Sequence, residues 1–207
     1  MNFLFRSAII AGVAFCTSAA ANAASTSYFL NQSNDLANGT NYATVTISDS
    51  TDFVGDIEFK VEVDESQFPT PFSNFGMDAF FFNHDNSISI DELCLTDFDP
   101  TDWEVKYNKN AGGGFGKFDI LAKGDGSSRT SVLTFRVTGV AGDTIEDYAL
   151  GSADNMGEFF AAHIAGYDSG VSGNTSGKFA GSTAVPVPAA AWLFGSALGM
   201  LGWSRRR

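Results

Sequence analysis

Residues suited to covalent or redox chemistry are scarce in this chain. Of its 207 residues, two are cysteine and two are histidine. Cys16 lies in the apolar N-terminal stretch, so Cys94 stands alone in the remainder and no intrachain disulfide can form there. Leu93 and Leu95 flank it and suggest a strand, in which a small buried thiol is the expectation. Basic residues are also few. Residues 24–183 carry all 24 acidic side chains but eight of the 12 basic ones, a net charge of −16. That balance repels phosphates, so nucleic acid is excluded as a partner.

The usual catalytic signatures are missing too. There is no Gly-x-Ser-x-Gly nucleophile elbow and no His-Glu-x-x-His metal motif. A catalytic triad would have to use His84 or His163, and neither has a sequence neighbour that would orient it. His84 sits beside Asp85 and Asn86 in an expected polar turn. His163 shares a strand face with Phe159, Ala161 and Ala165, which reads as a satisfied, partly buried histidine. The chain is therefore not expected to be an enzyme.

Helix-period apolar patterns are absent between the two ends. Twenty phenylalanines and 22 glycines, with many Ser, Thr and Asn, make a β composition. Tyr42 to Ile47 alternates, and Ile57 to Val63 alternates most clearly, with Glu58, Lys60 and Glu62 toward water. Pro69 and Pro71 mark a break. Met77 to Phe82 is apolar enough for burial on both faces. Further strands are expected at 87–95, 103–107, 115–122, 131–140 and 159–165, separated by Gly, Asp and Asn turns. Roughly eight or nine short strands at ~8–12-residue spacing predict an all-β fold, an antiparallel β-sandwich, over residues 24–165. Residues 166–183, rich in Gly and Ser, read partly as a spacer.

The ends are different in kind. Met1 to Ala23 has a basic Arg6, an apolar stretch from Ser7 to Thr17, and small residues at Ala21 and Ala23. It reads as a signal peptide that signal peptidase would cleave after Ala23. At the other end, Val185 to Trp203 is 19 residues without a charge. As a helix it would span roughly 28 Å, close to a bilayer's hydrocarbon core. Pro186 and Pro188 stand at its start, where a helix tolerates them. Arg205, Arg206 and Arg207 follow at once and would stay cytoplasmic. A transmembrane helix over 185–203 is the expectation, with the body outside the inner membrane.

Val185-Pro186-Val187-Pro188-Ala189-Ala190-Ala191-Trp192, the Gly- and Leu-containing helix and the terminal arginines together resemble the sorting signal of the PEP-CTERM family of bacterial exported proteins, in its Val-Pro-x-Pro-Ala variant. Val187 stands where the Pro-Glu-Pro form has Glu. The match covers 184–207. The resemblance implies an exosortase as the partner that reads Val185, Pro186, Pro188, Ala189, Trp192 and the three arginines. It implies a Gram-negative host, an inner-membrane-anchored precursor, and delivery to the cell surface or extracellular matrix. A structural or adhesive role in exopolysaccharide or biofilm follows from the same resemblance. Phe75 to Asn83 and Phe159 to Ile164 also look like a recurrent β-rich module of such proteins.

Two alternatives remain open at this stage. Asp97, Asp99 and Asp102 have the spacing of a possible Ca²⁺ loop, though Asx turns around Pro100 explain the same residues. An EF-hand register started at Asp85 fails, because Ile90 and Thr96 fall on its glycine and glutamate positions. No other cofactor is indicated. Tyr28, Trp103, Tyr107 and Tyr167 are aromatics that would stack on sugar rings if exposed, which would make the body a carbohydrate-binding module. A glycoside-active enzyme is the remaining alternative.

Overall fold

The computed structural model describes residues 24–89, 94–111, 113–127, 129–154, 157–170 and 173–185. Among them are twelve strands: β1 Ser25–Leu30, β2 Gln32–Ser33, β3 Ala43–Asp49, β4 Ile57–Val63, β5 Pro71–Phe82, β6 Cys94–Asp99, β7 Glu104–Asn110, β8 Lys117–Lys123, β9 Val132–Thr138, β10 Phe160–Tyr167, β11 Ser176–Gly181 and β12 Thr183–Ala184. Two short 3-10 turns, Glu65–Gln67 and Ile145–Tyr148, are the helical content of these residues. The expected number of strands was too low. β1 and the two-residue strands β2 and β12 carry too little apolar alternation to stand out.

The strands form two six-stranded antiparallel sheets. The first runs β12-β1-β3-β4-β9-β6 and the second β2-β11-β10-β5-β8-β7. β4 shows how the sequence builds the first. Ile57, Phe59, Val61 and Val63 are buried while Lys60 and Glu62 are exposed, as period-two alternation requires of a sheet with one wet face. Phe59 stacks on Phe135 of β9 at 4.7 Å, and meets Phe82 of the second sheet at 4.8 Å. The two sheets therefore pack face to face through aromatic side chains, whose ring contacts add to the hydrophobic burial.

β5 is buried on both sides. Met77, Phe80 and Phe82 join the core between the sheets. Ala79 and Phe81 instead join a second cluster with Ala111, Phe115, Phe118, Leu121, Ala161 and Ala180. Ala111 and Phe115 thus cover part of the second sheet's outer face.

Several expectations need correction. Residues 166–183 are not a spacer, because β11 lies between β10 and β2 and buries Phe179 and Ala180 completely. Small residues gave this segment a linker-like composition, but they are what lets it pack closely: a Cβ on Gly177 would lie 2.6 Å from the Tyr167 hydroxyl. The strand expected at 87–95 begins only at Cys94, after a turn in which the Ile88 N–H donates to Asp85 O. Cys94 is exposed rather than buried. It lies on the edge strand β6 with Leu95, its neighbour, packed toward the core, so alternation turns the thiol outward. His84 is buried rather than in an open polar turn, with Nδ1 2.8 Å from Asp85 O.

Apart from Val185, the expected membrane helix lies outside the described residues. Among those described, no helix is long and apolar enough to cross a membrane.

Candidate functional site

The outer face of the second sheet carries the most organised polar side chains outside the core. Register places Lys178 of β11 opposite His163 of β10, and His163 opposite Ala79 of β5. Ala79 in turn lies opposite Lys123 of β8, and Lys123 opposite Glu104 of β7. The next row on that face runs Ala180, Ala161, Phe81, Leu121 and Lys106. A charged row thus lies beside an apolar one across five strands. Lys178 and Lys123 are three strand spacings apart, about 14 Å.

A β-bulge adds one more group. Ala79 pairs with His163 but Met77 pairs with Ile164, which leaves Asp78 as the extra residue of β5. Met77 points into the core and Ala79 outward, and the bulge aims Asp78 at the imidazole. Asp78 Oδ1 lies 2.5 Å from His163 Nδ1. A carboxylate acceptor there places a proton on Nδ1 and leaves Nε2 as the other edge of the ring. Asp78 Oδ2 accepts from Arg129 Nε at 3.1 Å. Burial pushes the Asp78 carboxyl upward, but the hydrogen bonds and charges of His163 and Arg129 outweigh it and hold the group below its ordinary value.

The wall beside Asp78 is built by Gly124, Gly126 and Arg129. Gly124 N–H donates to Asp78 O at 3.0 Å, Asn74 Nδ2 donates to Gly126 O at 2.6 Å, and Arg129 Nη1 donates to Asn74 O at 3.2 Å.

Lys178 closes the other end. Its Nζ sits over the Phe81 ring, 4.7 Å from the centroid. Gly113 packs against its stem: a Cβ there would lie 3.1 Å from Lys178 Cβ, and φ of +65° already favours glycine. Among the described residues Lys178 has no carboxylate within ion-pair distance. Burial lowers its pKa, with the charge of Asp78 opposing in part. Lys106, by contrast, is paired with Glu104 at 2.5 Å.

Between these groups lies an open groove of about 580 Å³, lined by Asp78, Phe81, Leu121, Lys123, His163 and Lys178 among others. That volume falls within the ~300–1,000 Å³ of small-molecule sites. The groove can hold an anionic group against Lys178 and offer a hydrogen bond at His163 Nε2. His163 has no serine, threonine or cysteine partner among the described residues, so Asp78 and His163 form a pair rather than a nucleophilic triad. No sequence neighbour orients His163, and its partner comes from another strand.

The other predicted residues fall elsewhere. Asp97 has φ of +53° and pairs with Arg136, which also holds Asp56. Asp99 lies in β6 opposite Thr134, and Asp102 is exposed in the following turn. Among the described residues, no group of three or more His, Cys, Asp or Glu is placed to hold a metal ion. Of the aromatics that would stack on sugars if exposed, Tyr28, Trp103 and Tyr167 are core residues. Tyr107 packs against the core, half-buried. Val185 is described, and its N–H donates to Ser27 O at 2.8 Å. Ala21, Ala23, Pro186, Pro188, Ala189, Trp192, Arg205, Arg206 and Arg207 lie outside the described residues.

No protein-family model, curated protein or solved structure matches the chain.

Proposed function

We propose that this is an exported, non-enzymatic cell-envelope or extracellular-matrix protein. Its all-β body is the delivered cargo, and its C-terminal segment is the sorting label. One observation carries most weight. β1 starts at Ser25, two residues past the predicted cleavage at Ala23, and β12 ends at Ala184, next to the predicted motif at Val185. These two strands pair with each other, Tyr28 opposite Ala184 and Phe29 opposite Thr183. Cuts after Ala23 and near Val185 would therefore release a body with both terminal strands intact. Signal peptidase and an exosortase are the processing partners in this reading. The destination is the surface or the exopolysaccharide of a Gram-negative cell, where the body is structural or adhesive.

Fractionation of the native host tests the label. Pro186→Ala with Pro188→Ala, or loss of Arg205 to Arg207, should leave the protein in the membrane fraction while the parent chain reaches the surface or medium. Unchanged distribution of both variants would reject the sorting reading.

A second reading, carbohydrate binding by the body, is favoured by the groove over the second sheet. Calcium is not needed for it, since Asp97 already faces a guanidinium.

A further inference from the structure

We propose that the groove on the outer face of the second sheet binds an acidic glycan through two of its uronate carboxylates, one at Lys178 and one at Lys123. The choice of a glycan over another carboxylate rests on the envelope reading above; the anion site itself stands on the geometry alone.

The argument starts from charge. The chain between 24 and 183 has a net charge of −16, yet Lys106, Lys123 and Lys178 line one groove with His163, and Arg129 pairs with Asp78 at its wall. Most cations among the described residues are paired. Lys60 holds Glu62 at 2.8 Å, Lys117 holds Asp154 at 2.8 Å, and Arg136 holds two aspartates. Lys178 is different, because it is half-buried, clamped by Gly113 and Phe81, and has no carboxylate of its own. A partly desolvated ammonium costs stability unless an anion satisfies it. The acidic surface beyond the groove repels such a ligand weakly, because charges more than about 8 Å away are screened at physiological salt.

The groove's composition selects the kind of anion. Asp78, 15 % exposed, and Asp125 lie within it and would oppose a dianion such as phosphate more than a single carboxylate. Ala79, Phe81 and Leu121 form an apolar strip beside the charged row, which suits the apolar face of a pyranose ring. His163 Nε2, the ring edge left over from Asp78, can hydrogen-bond a sugar hydroxyl while the uronate carboxylate meets Lys178 Nζ. Lys123, three strands away, can take the carboxylate of a neighbouring residue of the polymer. Asp78 and Arg129 then act as positioning residues, setting the tautomer and tilt of His163.

Calorimetric titration of the full chain in mild detergent tests this, with oligogalacturonate, its fully methyl-esterified form, monomeric galacturonate and inorganic phosphate as probes. Oligogalacturonate should bind saturably, and the ester about tenfold or more weaker, as loss of one charge-assisted contact implies. Lys178→Met, which keeps the stem against Gly113, should weaken binding by the same ~tenfold, while Lys60→Met on the first sheet should not change it. Circular dichroism reports whether the variants fold, and Lys123→Met serves if Lys178→Met does not. Equal binding of ester and acid, or unchanged affinity in a folded Lys178→Met chain, would overturn the proposal. Phosphate or monomer binding as tightly as the oligomer would overturn the glycan assignment. Failed uronate binding leaves the sorting reading intact, and failed sorting in the host leaves the groove intact.

Discussion

His163 Nδ1 meets Asp78 Oδ1 at 2.5 Å, although 85 positions separate the two residues. The contact exists because a single extra residue in β5 turns a carboxylate to the outer face beside β10. Asp78→Asn keeps the shape but removes the charge that both His163 and Arg129 face. We expect it to lower stability by about 1–3 kcal/mol in urea denaturation at neutral pH. The pH dependence has a definite sign. Asp78 titrates below 3.8 in the folded protein, so its contribution is complete above that value and fades as pH falls through the folded value. The gap between parent and variant should therefore close in acid. A gap that widens as pH falls would contradict the pairing.

Lys178 should behave in the opposite way. Burial lowers its pKa, so the unfolded chain holds the proton more tightly and the charged form is penalised on folding. Lys178→Met is expected to keep or raise the thermal midpoint at neutral pH. Its advantage over the parent should shrink as pH rises toward 10.5, where the parent sheds the proton. A clear loss of stability in melting curves at pH 7 would mean that the ammonium serves the fold rather than a ligand.

Much of the fold could be read from residue order, and the site could not. Ile57 to Val63 announced β4 by strict alternation, and Met77 to Phe82 announced a strand buried on both faces. Those signals are local. The groove depends on which strands become neighbours and on one bulge, and neither leaves a trace in the nearby sequence. His163 looked unsupported because its partner lies on another strand. β11 was hidden for a different reason. Its packing relies on Gly177, Ala180 and Gly181, small residues whose composition matches that of a linker. Cys94 was misjudged because alternation says which residues share a face, but not which face is wet on an edge strand.

β11 gives a direct test of the body's extent. Phe179 is fully buried and packs on Tyr42 at 4.8 Å and Phe68 at 5.2 Å. Phe179→Ala should cost about 3–5 kcal/mol in chemical denaturation. A cost near zero would restore residues 166–183 to the role of a spacer.

Cys94 should react with a maleimide to completion without denaturant, because it is exposed on the edge strand β6. Mass spectrometry of the labelled native protein reads this out. Protection lost only on unfolding would place the thiol inside instead.

Removal of the signal peptide would alter one contact at the body's edge. Ala24 N lies 3.0 Å from Asp49 Oδ2, and cleavage after Ala23 would turn that amide into an ammonium facing a carboxylate. Asp49→Asn should then destabilise the processed protein more than the precursor, by up to about 1 kcal/mol, in parallel thermal melts.

The most direct test of the account is the intact mass of the protein recovered from membrane, surface and medium fractions of its own host. The account predicts a surface or medium species that begins at Ala24 and ends near Val185, with any attached glycan as added mass. A species that ends at Arg207 and stays in the membrane fraction would contradict it.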